Sequence, residues 1–447
     1  MVGRENAFKL IELALKCSPG DQTEALLMGG DSYLTRFAAN HIHQNVGEKD
    51  AILAVRVVFG QKIGSASTNS LDEGSIRRAV ERAAEIARLQ PENPDFKTLP
   101  GPSPVSEVDG YSRHTAGMTP DDRARAVGAV IARARAKGFQ AAGAYSTGEQ
   151  ELAIGNSLGV RAYHVSTGAS LVTVAMSETS SGYAEQAAVD AAAIDPVAVA
   201  DVAVRKCADG VESVRVEPGE YEVILEELAV SSLVGYLARL GFSALALQEG
   251  RSFLAGKLGQ KIVGENITLW DDGLDPTGFP IPFDFEGVPK RRLTLIEDGV
   301  ARNVVYDSYT AGREPGRRST GHATPGFYGS FGPMPMNLFL KPGTATIEEM
   351  IRSTKRGIWV TRFHYTNPIH PVKTIITGMT RDGTFLVENG RVVGAVKNFR
   401  FTQSVLEAFS EVEMIGRTPK LIGGHFGGMS VPALKVRRFN FTGVTEF

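Results

Sequence analysis

The stretch that decides the fold is residues 218–240, P-G-E-Y-E-V-I-L-E-E-L-A-V-S-S-L-V-G-Y-L-A-R-L. A Pro-Gly turn opens it, and Tyr221, Val223 and Leu225 then alternate as on a strand with one covered face. From Glu226 the spacing changes. Leu228, Ala229, Ser232, Leu233, Tyr236 and Leu237 recur with the period of an amphipathic helix. The sequence therefore predicts a short strand running straight into a helix over 227–240, with Glu226 and Glu227 at its first turn. Acids there suit the positive end of the helix dipole on structural grounds alone. They also stand where a strand-to-helix corner can present them to a cleft.

Upstream of this corner, residues 4–17 read as a helix with Phe8, Ile11 and Leu15 on one side, stopped by Ser18-Pro19-Gly20. Strands are expected at 23–28, 33–39 and 51–59, then a small-residue turn and a helix over 72–89. Six prolines between Pro91 and Pro120 exclude helix and central strand, leaving an ordered connection. A helix at 120–137 and strands near 140–147, 150–155, 160–166 and 169–176 repeat the first pattern, and Ala-rich 184–209 reads as two helices broken near Pro196. Downstream, Gly, Pro and β-branched residues dominate, and Glu297-Asp298-Gly299, Arg381-Asp382-Gly383 and Glu388-Asn389-Gly390 mark hairpins.

The expected fold class is α+β. Residues 1–90 and 120–217 form a pair of related units with antiparallel strands, joined by 91–119, and 218–447 form a mostly antiparallel β domain.

Composition narrows the function. The chain has 447 residues and a net charge of −2, and no basic stripe, zinc finger or helix-turn-helix signal points to nucleic acid. No run approaches the roughly 20 apolar residues of a membrane span. The start, M-V-G-R-E-N-A-F-K-L, lacks a signal-peptide core, and Cys17 and Cys207 are the only cysteines, so a reducing cytoplasm is expected.

Several segments, in order and spacing, carry a resemblance. They are L-T-R-F-A-A-N-H-I-H-Q at 34–44, N-S-L-G-V-R-A-Y at 156–163, D-D-G at 271–273, E-G-V-P at 286–289, L-I-E-D-G at 295–299, M-P-M at 334–336 and V-E-N-G at 387–390. With the 218–240 stretch, they make the chain resemble the TldD/PmbA family, metallopeptidases also called modulators of DNA gyrase. In catalytic members the helix here carries HExxxH, two histidines binding the metal and the Glu serving as base, with a cysteine near the C-terminus as third ligand. In the best register Glu227 falls on the motif's Glu, while Glu226 and Ser231 replace the histidines; a shift of one residue puts Glu227 and Ser232 there instead. No HExxH, HExxxH or CxxC occurs, and neither cysteine lies in the C-terminal half.

The resemblance is thus to the PmbA/TldE-like branch. It implies a metal-free, non-catalytic subunit that binds no cofactor itself and pairs with a TldD-like catalytic chain carrying zinc, or forms a homodimer. The substrates it implies are small or unfolded peptides. The alternatives are a self-sufficient metallopeptidase with a rebuilt metal site, built on Glu226, Glu227 and histidines, and a homodimeric peptide-binding protein.

Other candidates are weighed against plainer readings. His41 and His43 share a strand face and can grip a metal together, yet zinc wants a third ligand, and a polar strand face explains them. His425, in I-G-G-H-F-G-G-M, lies near the place of the family's metal-binding cysteine. In the Gly-rich basic loop 311–330, Arg313, Arg317 and Arg318 are suited to holding a peptide carboxylate, with Thr320, Gly321 and His322 at its cleft-facing tip, or the loop is simply solvated. No G-x-S-x-G elbow or phosphate-binding loop occurs.

Overall fold

A computed structural model describes residues 1–326, 332–424 and 426–445. Helix α1 (Arg4–Cys17) precedes a sheet of β1 (Gln22–Ala38), β2 (His41–Phe59) and β3 (Lys62–Thr68), covered by α2 (Glu73–Leu89). After the proline-rich connection, which holds only the short α3 (Arg113–Ala116), come α4 (Pro120–Arg135), β4 (Gln140–Asn156), β5 (Arg161–Met176), β6 (Ser181–Ala188) and α5 (Pro196–Asp209).

The six strands form one antiparallel sheet in the order β3-β2-β1-β4-β5-β6. The two units thus meet strand to strand along β1 and β4. Their outer strands repeat a device in which a glycine lets a helix backbone approach. A Cβ on Gly64 would lie 2.1 Å from the Ala83 oxygen of α2, and one on Gly182 would lie 2.1 Å from the Ala203 oxygen of α5.

Helices cover one face. Leu27, Val55 and Ala153 pack beneath α1 and α2, while Phe37, Tyr145 and Leu171 pack beneath α4 and α5. Residues of opposite parity, Leu26 and Ile154, face the C-terminal domain with Phe283 and Phe285.

Two expectations are corrected here. The strands expected at 23–28 and 33–39 are a single strand running through Gly29-Gly30, and those expected at 140–147 and 150–155 are likewise one, as are those at 160–166 and 169–176. Gly30, in the gap between the first two expected strands, is a close-packing position: a Cβ on it would lie 2.2 Å from the Glu149 oxygen. Residues 181–188 form the edge strand β6, where a helix was expected from 184. Alanine favours helix, but here alternate residues pack under α5, and tertiary packing overrides propensity.

The C-terminal domain opens with β7 (Gly219–Leu225), α6 (Glu227–Gly241) and α7 (Ala244–Gln248). Then come β8 (Leu269–Asp271), β9 (Leu293–Glu297), β10 (Val300–Ala301), α8 (Ser308–Gly312), β11 (Asn337–Leu340) and α9 (Ile347–Arg352). The long hairpin β12 (Arg356–His370) and β13 (Ile375–Glu388) follows, then β14 (Arg391–Ala395), β15 (Phe399–Ser404) and α10 (Val405–Ser410). Last are β16 (Val412–Ile415), β17 (Lys420–Gly423), β18 (Gly428–Val431) and β19 (Leu434–Val444).

These strands make two sheets, mostly antiparallel, with parallel pairs at β7–β12 and β11–β18. In the larger sheet the pairings β12–β7, β7–β19, β19–β15, β15–β13 and β13–β12 close a ring. Phe363, Phe399, Phe401, Phe439 and Phe441 cluster in its aromatic core. Beyond Ala301, where the pairing of β9 with β10 ends, residues 302–306 carry only the isolated bridge of Val305 with Ser243. No helix of the described residues is long and apolar enough to cross a membrane.

Candidate functional site

The corner between β7 and α6 is as the pattern predicts. Val223, Ile224 and Leu225 are buried, and β7 lies between β12 and β19. Glu226 leaves the sheet by donating its N–H to the Val360 oxygen at 3.0 Å, and its own carbonyl starts α6 by accepting from Ala229 and Val230. Ala229, Val230, Leu233, Val234 and Leu237 are completely buried, so the helix is an internal strut and its N-terminus is fixed.

What Glu226 does there is unexpected. At this N-cap its carboxylate makes no capping bond. Instead Oε2 accepts from the Lys206 ammonium of α5 at 2.5 Å, with the two side chains 14% and 5% exposed. Glu227 is mostly buried, and desolvation, together with the neighbouring Glu226 charge, pushes its carboxyl up, against the pull of Lys420 and Lys206. Lys420, at the start of β17, is pushed down by burial, against the attraction of Glu185, Glu227 and Glu226. Both serines are turned onto their own helix: Ser231 Oγ donates to the Leu228 oxygen at 2.9 Å and Ser232 Oγ to the same oxygen at 3.1 Å.

The corner is thus an ionic joint between the central unit, which supplies Glu185 and Lys206, and the C-terminal domain. Its donor set does not fit zinc. The metal wants three or four N, S or O ligands, whereas an ammonium sits against Glu226 and would repel a divalent ion. Among the described residues no group of three or more His, Cys, Asp or Glu is placed to hold a metal ion. His41 and His43 are both exposed along the outer edge of β2, beyond the reach of β3, which pairs only with Leu53–Phe59. His425 lies outside the described residues.

The basic loop is more tightly held than its composition suggests. Arg313 pairs with Asp95 at 3.3 Å, Arg317 pairs with Glu314 and lies over the Tyr306 ring, and Arg318 is exposed. The structure places His322 away from a loop tip: it is fully buried. Its Nε2 lies 2.9 Å from Asp271 Oδ1 and its Nδ1 2.9 Å from Thr320 Oγ1. Burial, and then the Lys290 charge, push the imidazole down and keep it neutral, with Nε2–H donating to the carboxylate.

Asp271 also accepts the Met336 and Asn337 N–H groups at 2.7 Å each. Burial opposes its ionisation, but Lys290, His322 and these amides hold the carboxyl well below the usual range. Buried as it is, the Thr320–His322–Asp271 row clamps loops together; its hydroxyl also bonds the Tyr306 backbone. Sequence reasoning missed Lys206, Lys420, Lys290 and Asp271 as functional neighbours because each is brought to its partners from a distant segment. Only D-D-G at 271–273 was singled out in advance.

Comparison with known proteins agrees with this architecture. Residues 24–87, 116–209 and 218–443 match the PmbA/TldA metallopeptidase domain 1, central domain and C-terminal domain. An uncharacterized protein of Methanocaldococcus jannaschii is 32% identical over 190 residues, and that match spans 42% of this chain and 44% of the relative. The metalloprotease PmbA of Escherichia coli O157:H7 is 24% identical over 95% of this chain and 94% of its own length. In fold, the crystal structure of TldE from Thermococcus kodakarensis superposes with a TM-score of 0.88 at 24% identity, covering 98% of this chain and 100% of that one. With more than half of its length matched by the family's C-terminal domain alone, the chain belongs to the PmbA/TldD metallopeptidase family.

Proposed function

We propose that this chain is the metal-free subunit of a TldD/TldE-type metalloprotease, working beside a TldD-like chain that carries zinc. The observation that carries this reading is the pairing of Glu226 with Lys206 at the corner where catalytic relatives bear their motif. With Ser231 and Ser232 bonded to their own helix, the position has no nitrogen ligand to offer. The partner would polarise the scissile carbonyl and activate water. This chain would contribute wall and access to a shared chamber, and peptide contacts through strand edges of its β domain.

Small or unfolded peptides are the substrate class. Arg318, exposed and without an ion pair among the described residues, is the loop cation best suited to meet a peptide carboxylate. The self-sufficient peptidase would have to displace Lys206 before Glu226 could ligate a metal.

The test is metal content by mass spectrometry after dialysis against trace zinc, followed by a peptide-hydrolysis assay with and without an HExxxH homologue from the same genome. Expected are no retained zinc, no cleavage by this chain alone, and cleavage with co-purification when the homologue is added. About one zinc per chain, or cleavage by the chain alone, overturns the proposal.

A further inference from the structure

A second ionic cluster joins the N-terminal sheet to the C-terminal domain, and its charges do not balance. Glu24 on β1 and Arg56 on β2 are register partners on the sheet face turned toward that domain. Arg56 Nη2 donates to Glu24 Oε2 at 2.9 Å and, across the junction, to Glu286 Oε1 at 3.0 Å. Glu286 Oε2 accepts from the Ser308 N–H and hydroxyl at 2.9 and 2.5 Å. Beside it, Asp307 caps α8 through Thr310, and Asp284 accepts from the N–H groups of Glu286, Val288 and Ala323.

Three carboxyls, Glu24, Glu286 and Asp307, thus face one guanidinium, and a fourth, Asp284, lies beside Glu286. Of the other titratable groups nearby, the Tyr309 phenol lines the same cavity of about 490 Å³, with Ser65, Ser67 and Thr324. Lys290 and His322 are committed to Asp271. No further cation reaches the four carboxyls within ion-pair distance among the described residues.

We infer that this joint is proton-linked: the N-terminal sheet and the C-terminal domain hold together most firmly while part of the carboxyl excess around Arg56 is protonated, and the contact loosens as those groups ionise. A buried carboxylate without its own counter-ion is costly, and taking up a proton removes that cost. The direction of titration agrees. Burial pushes Glu24 up to about 7 against the pull of Arg56, and burial and the Glu286 charge raise Asp307 to about 6. Asp284 is raised for the same two reasons. A carboxyl raised in the folded state contributes stability that is fully present below its unfolded value and is lost as pH rises through the folded one. Firm docking below about pH 5, progressive loosening up to about pH 7 and little further change above it follow from the Asp307 and Glu24 values.

The test is hydrogen exchange on the full chain from pH 5 to 8.5, each rate divided by the unfolded-peptide rate at that pH. Protection at 22–26, 54–58 and 284–288, relative to 229–237 inside α6, is expected to fall about tenfold between pH 5 and 7 and to level off above pH 7. Glu24→Gln, which keeps an oxygen for Arg56 but cannot ionise, should flatten most of that fall. Exposed Glu73→Gln should leave it unchanged. The melting temperature of the wild type over the same range is the second reading, expected to decline between pH 5 and 7 and to level off above it. Protection independent of pH, or an undiminished fall in Glu24→Gln, overturns the inference.

Discussion

Asp271 and Glu24 are both almost entirely buried carboxyls, yet burial has opposite outcomes for them. Asp271 has an ammonium, an imidazole N–H and two backbone N–H groups to itself, and they hold it ionised deep in the domain. Glu24 shares one guanidinium with Glu286 while Asp307 and Asp284 crowd the same junction, so desolvation wins and the carboxyl is pushed up. Burial alone therefore does not set the state of an acid; the number of donors per carboxylate does. The Glu226 corner lies between the two, with Lys206 and Lys420 set against Glu185, Glu226 and Glu227.

Variants can break this contrast at its strong end first. Asp271→Ala leaves Lys290 uncompensated in the interior and two amides without an acceptor, and should lower unfolding free energy by about 4 kcal/mol in urea titration. Asp271→Asn, which still offers one oxygen, should cost about half as much. At the corner, Lys206→Met should cost about 2–3 kcal/mol because Glu226 is left mostly buried without its ion-pair partner. The double variant Lys206→Met with Glu226→Gln should recover most of that loss, a coupling read from the same titrations. Strict additivity of the two single changes would remove the pair from its role as a joint.

The two carboxyls also predict opposite pH limbs. Asp271 is depressed, so its contribution is present above the unfolded carboxyl range and is lost as pH falls through the folded value; Asp271→Asn should flatten the acid limb of a stability–pH curve. Glu24 is raised, so Glu24→Gln should flatten the limb between pH 5 and 7 and leave the acid limb alone. The smallest effect belongs at the surface. Breaking the exposed Glu73–Arg77 pair with Arg77→Ala should give no measurable shift in the denaturation midpoint.

Much of the frame was legible in the sequence, because strand-to-helix changes of period and proline-rich breaks are local signals. The β7–α6 corner, α1, α2 and α4 fall where periodicity puts them. What local reading cannot see is a glycine serving as a contact: Gly29-Gly30 falls in the gap between two expected strands and is the middle of β1. Nor can it see alanines that lie flat under a helix, which made β6 read as helix. At the site, Glu226 and Glu227 were legible, since dipole and corner arguments both point to them. Lys206 was not, because an ion pair across 20 residues of chain and a domain boundary leaves no periodic trace. His322 read as a loop tip for a related reason, its acceptor Asp271 being 51 residues away.

The seam between β1 and β4 has a consequence for synthesis. Its register runs from Glu24 opposite Asn156 to Phe37 opposite Gly143, so one edge of β1 waits for a strand made much later. While the proline-rich connection and α4 are being translated, the first unit can already pack α1, α2 and β1–β3 but carries an open ladder of amides and carbonyls beside an apolar face. Such an edge is a template for pairing with a neighbouring nascent chain. Zipping it shut requires contacts more than a hundred residues apart in sequence, the slow kind in folding. The vulnerable interval in this protein's life is therefore the time the ribosome takes to travel from the end of α2 to the end of β4.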